Sequence, residues 1–331
     1  LILWGLIEGI FISDGIEFFL CTGSEWVNMK VVPIAFDSLG TRSMCTFVET
    51  DDCKILVDPG VALGPSRYGL PPHAFEWQRL EDHFSKIQKY ATKADVVIIT
   101  HYHYDHHTVG STGLYEGKVL YIKHPTERIN FSQKERASYF LSEIRDRPKH
   151  LECSDGKEFC HGKTKIRFSN PVCHGTNPRL GYVTEVSISY GGEKIIFTSD
   201  VEGPSLPDQT QFILDEKPDI VILDGPMTYM LGFRYSWKSL RASIENIKRI
   251  IQETPVHTLM LEHHFMRDLQ YKSRIKPVYD VAGDKGVRVI TAAEYLGSPI
   301  EMLEARRREL YAKHPEAKSP KEAGKKIIFE E

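Results

Sequence analysis

From Lys30 onward the chain sets short apolar runs against longer amphipathic ones, and the two periods separate strands from helices. "KVVPIAF" (30–36) predicts a strand, and "MCTFVET" (44–50) with "KILVD" (54–58), flanking "DDC", predicts a hairpin that stops at Asp58-Pro59-Gly60. A Gly- and Pro-rich loop (60–73) leads into "AFEWQRLEDHFSKIQKYA" (74–91), which has helical spacing, and "ADVVIIT" (94–100) reads as a buried strand ending at Thr100. "GKVLYI" (117–122) is a further strand, and "SQKERASYFLSEIRDR" (132–147) is expected as a charged helix lying over the fold as an insertion. Strands follow at "TKIRFS" (164–169), "YVTEVSISY" (182–190) and "EKIIFTSD" (193–200), the last two joined through Gly191-Gly192. The chain then alternates: strand "PDIVILDGP" (218–226), helix "SWKSLRASIENIKRIIQ" (236–252), strand "VHTLMLE" (256–262), helix "RDLQYKSRIKPVYDVA" (267–282), strand "GVRVI" (286–290), helix "TAAEYL" (291–296). Hairpins first and helical crossovers later, in two similar halves, suit an α/β fold in which two sheets pack face to face with helices outside. One domain, 29–300, accommodates all of it.

The two ends read differently. Residues 1–28 carry Glu8 inside an apolar run and Asp14 just after it, with no basic start, which fits neither a signal peptide nor a membrane span. They are expected to be an extension ahead of a start at Met29, either loosely packed or not native. Residues 301–331 are charged with mixed sign and are expected to form a terminal helix and a frayed tail with little core potential.

Composition narrows the function classes only slightly. Lys and Arg number 42 against 45 Asp and Glu, a formal net charge of -3, so no global attraction draws the chain to nucleic acid or to an anionic membrane. The six cysteines (Cys21, Cys45, Cys53, Cys153, Cys160, Cys173) include no C-x-x-C pair, which favours reduced thiols and a cytoplasmic setting without membrane partners.

The chemistry concentrates where the "ADVVIIT" strand surfaces. "HYHYDHH" (101–107) packs four histidines and an aspartate into seven residues. His101 and His103, two apart in extended chain, leave on one side and can share an ion, while Asp105 and His106 follow closely enough to serve a second. Each ion wants about four ligands with one position open, so more must come from other strand ends. The candidates are His174 in "NPVCHGTN", Asp200 in "IIFTSDVEGP" and the pair His263-His264 in "LMLEHHF". Nitrogen and carboxylate donors without thiolate suit Zn²⁺, with Fe or Mn accepted by the same set.

The order H-x-H-x-D-H, His-Gly, Ser-Asp after a strand, and a late His resembles the metallo-β-lactamase-fold superfamily over residues 30–296. More narrowly, "HYHYDHH", "LGPSRYGLPPH", "SDVEGP" and "EHHFMRDL" resemble an archaeal family of predicted metal-dependent hydrolases within it. The resemblance implies an αββα sandwich with a dinuclear site on one edge. It gives His101, His103 and His174 to the first ion, Asp105, His106 and a late histidine to the second, and makes Asp200 the bridge. Either His263 or His264 can be the late ligand; a His-Phe pair after the strand resembles related nucleases and favours His264. Asp58 would accept a hydrogen bond from a ligand imidazole.

The implied reaction is hydrolysis of a phosphoester (nucleic acid included), an ester or a thioester, with Asp105 orienting the attacking water. His107 is either a proton shuttle or a solvent-facing histidine at a helix start, and Tyr104 and Tyr229 are further candidates beside it for protonating the leaving group. Arg67 and Tyr68 in "GPSRYGLPP", with Tyr229, are candidates for binding an anionic substrate. The alternatives are an iron-dependent oxidoreductase on the same scaffold and a non-catalytic metal-binding protein.

Overall fold

The computed structural model describes residues 29–315; the segment 1–28, Cys21 and the end of the tail lie outside the described residues. The first half forms β1 (Lys30–Phe36), β2 (Met44–Glu49), β3 (Lys54–Val57), α1 (Ala74–Ala91), β4 (Val96–Ile99), β5 (Val119–Ile122), α2 (Phe131–Ile144) and β6 (His150–Cys153). These strands make one sheet in sequence order, antiparallel across β1-β2-β3 and parallel from β3 to β6. The second half forms β7 (Glu158–His161), β8 (Thr164–Phe168), the short pair β9 (Val172–Cys173) and β10 (Tyr182–Val183), β11 (Val186–Tyr190), β12 (Glu193–Phe197), α3 (Pro207–Glu216), β13 (Ile220–Asp224), α4 (Trp237–Glu253) and β14 (Thr258–Glu262). It closes with α5 (Tyr271–Arg274), α6 (Lys276–Lys285), β15 (Arg288–Ile290), α7 (Ala292–Tyr295) and α8 (Arg307–Lys313). Its sheet runs β15-β14-β13-β12-β11-β8-β7.

Side-chain alternation makes the four layers. On β3 and β4, Ile55, Val57, Val96 and Ile98 face the other sheet, where they meet Phe168, Ile188 and Ile222. Leu56, Val97 and Ile99 between them turn outward onto Ile87 of α1 and Phe140 of α2. β13 repeats the device: Ile222 points between the sheets, while Val221 and Leu223 pack under Leu240 and Ile247 of α4. Strands covered on both faces read as unbroken apolar runs, which is why "VVII" and "IVIL" carry no polar alternation. The architecture is the αββα sandwich.

Several local expectations change. The charged helix 132–147 is the β5-to-β6 crossover, with Ala137, Phe140 and Ile144 buried, rather than an insertion above the fold. The helix expected over 267–282 is broken: Pro277 lacks the N–H and its ring would clash one turn back, so α5 ends and α6 starts anew. "YVTEVSISY" splits at Thr184-Glu185, its first part pairing β9 and its second β8. β6, β7 and α3 were not anticipated.

The segment after residue 300 is also corrected. Met302 and Ala305 are buried, and three ion pairs fasten the segment: Glu301 to Arg79, Glu304 to Arg42 (2.6 Å) and Arg307 to Glu76 (2.7 Å). Arg307 also donates to the Gly64 and Leu70 carbonyls, and Tyr68 Oη donates to the Ala305 carbonyl, so this segment clasps the 64–70 loop. Charge concealed the burial, because each carboxylate and guanidinium meets its partner. Among the described residues no helix is long and apolar enough to cross a membrane, and the five described cysteines are free.

Candidate metal centre

Strand ends on one edge of the sandwich deliver polar residues: Asp58 after β3, Thr100 to His107 after β4, His174 after β9 of the short antiparallel pair, Asp200 after β12, Asp224 at the end of β13 and His263 after β14. Asp58 organises the first of them. Its carboxylate accepts from Thr100 N (2.8 Å), Thr100 Oγ1 (2.6 Å) and His106 Nδ1 (2.7 Å), tying the end of β3 to the turn after β4. His106 N and His107 N both donate to the His103 carbonyl, closing that turn. Gly60 is required there, since a side chain on it would run into the His106 and His107 backbone.

Asp200 is the hub. Its carboxylate is 2.9 Å from His106 Nε2, 3.2 Å from His174 Nε2, 3.3 Å from His263 Nε2 and 3.6 Å from His101 Nε2, all essentially without solvent exposure. Two four-residue groups of donors share it: His101, His103, His174 and Asp200, and Asp105, His106, Asp200 and His263. His263 Nε2 also lies 3.4 Å from Asp105.

The imidazoles are held from behind through Nδ1. His106 donates to Asp58, His263 to Asp37 Oδ2 (2.8 Å) and His264 to Asp224 (3.0 Å), while His101 Nδ1 sits 3.2 Å from Ser199 Oγ. Those acceptors place the proton on Nδ1 and leave Nε2 for the interior. The backbone is bent to serve this arrangement: Asp58, Ser199, Glu202 and His263 all adopt positive φ (48°, 56°, 51° and 57°). Such conformations cost about 1–3 kcal/mol each and persist where the surroundings impose them.

The cluster fits divalent ions. His101 Nε2, His106 Nε2, His174 Nε2 and Asp200 Oδ1 are buried and make no well-formed hydrogen bond among the described residues, a costly state for donors that point at one volume. Electrostatics say the same. Burial by itself would lower His106, but Asp200, Asp105 and Asp58 outweigh it and raise its pKa well above the ordinary value. His263 behaves alike through Asp200 and Asp37, and the surrounding imidazoles hold Asp200 well below the carboxylate range despite its burial. His101, 3.6 Å from the same carboxylate, goes the other way: burial and the neighbouring imidazoles hold it well below the ordinary value, so the positive charge around Asp200 sits on His106 and His263.

A pH dependence follows. His106 and His263, with raised pKa values, hold protons at neutral pH without an ion, and an ion needs them neutral. Metal uptake by stripped protein is therefore expected to release protons and to weaken as pH falls, measurable by titration calorimetry in buffers of different ionisation enthalpy. Uptake independent of both buffer and pH would contradict this. A second expectation concerns Asp58. Asp58→Asn keeps a residue tolerant of positive φ but removes the charge behind His106, and should weaken metal binding about 10–100-fold with the fold retained. Competition with a fluorescent chelator measures it, and unchanged affinity would assign Asp58 to the turn alone.

Of the sequence-derived candidates, His101, His103, Asp105, His106, His174 and Asp200 come together with His263, and Asp58 stands behind His106. Both late histidines reach Asp200: His263 joins Asp105 and His106, and His264 forms a further group with Asp200 and Asp224. Glu262 at the end of β14 accepts from His263 N, and the positive φ of His263 folds its ring back to Asp105 and Asp200, while His264 is drawn to Asp224 by both its backbone N–H and its ring. His107 is corrected. It is neither a shuttle nor solvent-facing: its Nδ1 donates to the His103 carbonyl, its ring packs on Phe140 and Tyr102, and burial lowers its pKa to about 3. Tyr104 stacks on His107. Arg67 and Tyr229 meet each other, guanidinium over ring at 4.6 Å, outside the donor groups. Sequence reasoning missed Asp37, Ser199, Glu202, Asp224 and Arg267. Asp224 carries the signal that flagged Asp58, an aspartate closing an apolar strand before a turn.

Residues 40–250 match the model of the metallo-beta-lactamase superfamily, and the chain belongs to that superfamily. Within it the relatives are the archaeal UPF0282 proteins. That of Korarchaeum cryptofilum is 52% identical over 288 residues, covering 87% of this chain and 96% of its own. That of Metallosphaera sedula is 46% identical over 288 residues, covering 86% and 93%. The crystal structure of unliganded yeast PDE1 shares the fold at a TM-score of 0.51 and 14% identity, over 80% of this chain and 98% of that one. The fold typically binds divalent metals, and the strand-end donors here are the residues that could hold them.

Proposed function

We propose that the protein is a metal-dependent hydrolase that holds two divalent ions, zinc first with iron or manganese also suited, and cleaves a phosphoester, ester or thioester. One observation carries this reading: seven buried His and Asp residues form two donor groups that share Asp200, with no thiolate among them. Ions bound there supply a water of lowered pKa and charge to stabilise the developing oxyanion. His101, His103 and His174 would hold one ion; Asp105, His106 and His263 the other; Asp200 would lie between. Asp105 would also orient the attacking water. His264, held at Nδ1 by Asp224 and slightly exposed, stands beside His174; burial, Arg267 and His263 keep its pKa well below the ordinary value, so it is a neutral imidazole at neutral pH and not the source of the leaving group's proton. The free thiols and absence of a spanning helix among the described residues accord with a cytoplasmic protein.

The test is a panel assay. Protein stripped and reloaded with Zn²⁺, Mn²⁺ or Fe²⁺ is given a phosphodiester, a phosphomonoester, a thioester, a carboxyl ester and a β-lactam. Metal-dependent turnover of at least one, abolished by His103→Ala, is the expected result. Oxygen consumption by the iron-loaded protein without hydrolysis would instead select the oxidoreductase, and a loaded protein inert in every assay would favour a metal-binding role without catalysis.

A further inference from the structure

Beside the donor groups lies a cavity of about 400 Å³ that the chemistry above leaves unused. Its walls come from three segments. Arg67 and Tyr68 stand on the clasped 64–70 loop, Tyr229 and Trp237 on the stretch that follows β13, and Arg267 and Arg274 on the stretch that follows β14. The last two stretches continue directly from Asp224 and from His263-His264, so the cavity opens on the strand-end face that carries the cluster. Arg267 belongs to both: its Nη2 is 3.2 Å from His263 Nε2 and 3.9 Å from Asp105, and its carbonyl accepts from Arg67.

The lining has a definite chemistry. Arg274 is paired with Asp268 and Arg267 with Asp37, but Arg67 has no carboxylate partner among the described residues. Its guanidinium is held between the rings of Tyr68 (4.8 Å) and Tyr229 (4.6 Å), with Nε buried and unbonded. With Nε buried and Nη2 donating to the Arg267 carbonyl, the guanidinium is already fixed and offers Nη1 and its charge to a tetrahedral oxyanion at little ordering cost. Around it, Trp237 is 56% exposed and Tyr68 40%, flat surfaces left open at a cavity mouth. Neutral carboxyl esters and acyl chains would use neither the unmatched charge nor the ring faces. The volume suits a ligand of nucleotide size rather than a polymer.

We propose that this cavity selects a small phosphoester bearing one flat aromatic or heteroaromatic group, with Arg67 on the phosphoryl oxygens and the ring against Tyr229 and Trp237. The assignment rests on the hydrolase reading for its catalytic consequence, but the binding it describes is measurable without turnover. Phenylphosphonate and methylphosphonate, which cannot be hydrolysed, are titrated calorimetrically into zinc-loaded protein. Phenylphosphonate should bind about tenfold more tightly, the worth of one ring contact. Trp237→Ala should erase that advantage while methylphosphonate affinity and metal content stay as in the parent; Tyr229→Leu should erase it too but, by releasing one face of the Arg67 guanidinium, should also weaken methylphosphonate, with metal content unchanged. Arg67→Met, which keeps the apolar stem, should weaken both ligands about tenfold. Equal affinity for the two phosphonates, or an advantage that survives both ring variants, would overturn the proposal, as would a preference for oligonucleotide over nucleotide-sized phosphoester. Ring-dependent binding in a protein that cleaves no ester would sustain the cavity assignment while removing the hydrolase reading; hydrolysis indifferent to the ring would do the reverse.

Discussion

Asp200→Asn protein is expected to purify with less than half of the parent's metal after equal loading and to lose more than about 100-fold in metal-dependent turnover. The substitution is nearly isosteric, so packing is not at issue. What it removes is the one negative charge within 3.6 Å of four imidazole Nε2 atoms, those of His101, His106, His174 and His263. Without it both donor groups lose a member at once, because Asp200 is common to them. The amide would also turn an N–H₂ toward nitrogens that have to accept the ion. Metal analysis and kinetics on the same preparation decide the matter, with circular dichroism to show the fold intact. A variant that holds a full complement of metal would remove Asp200 from the centre of the site.

The second large effect belongs to the C-terminal clasp. Arg307→Ala is expected to destabilise the protein by about 3–5 kcal/mol, because it leaves the buried Glu76 carboxylate without its partner. Both side chains are essentially unexposed, and Arg307 donates to Glu76 through Nε (2.8 Å) and Nη2 (2.7 Å). For a domain of this size the melting temperature should fall by roughly 5–10 °C or more. Replacing both partners by apolar residues, Arg307→Met with Glu76→Leu, should recover most of the stability, since an ion pair of this kind is costly to break and cheap to exchange whole. Recovery of stability need not restore ligand binding. Arg307 also holds the Gly64 and Leu70 carbonyls, so the double variant should show a raised KM through a loosened 64–70 loop. A melting temperature within a degree of the parent in the single variant would show that the clasp contributes little.

How much of this was legible in the chain depends on whether a residue's role is set locally. The "HYHYDHH" turn announces itself, because its histidines and aspartate act through neighbours in sequence at the end of a run too apolar to be anything but a buried strand. Asp58 was legible for the same reason: Asp-Pro-Gly closes a strand in phase with its partner. The choice between His263 and His264 was not, since it turns on a positive φ imposed by Glu262 and on two aspartates, Asp37 and Asp224, that lie 226 and 40 residues away. His107 shares its neighbours' chemistry by type, yet the turn rotates it onto Phe140. The C-terminal segment misled because charge patterning reports solvation only where partners are absent, and Glu76, Arg42 and Arg79 become its partners through the fold alone. The strands fared better, because burial on both faces writes itself into an uninterrupted apolar run whatever the topology, whereas α3, short and begun by Pro207, has too few turns to show a period.

The claim on which the rest stands is that two cations share one buried carboxylate at the strand-end edge. Anomalous scattering from crystals of the zinc-loaded protein, collected on both sides of the zinc edge, addresses it without reference to substrate. Two peaks are expected, one among His101, His103 and His174 and one among Asp105, His106 and His263, with Asp200 between them. A single peak on Asp224 and His264, or no peak in protein shown to be saturated with zinc in solution, would contradict it.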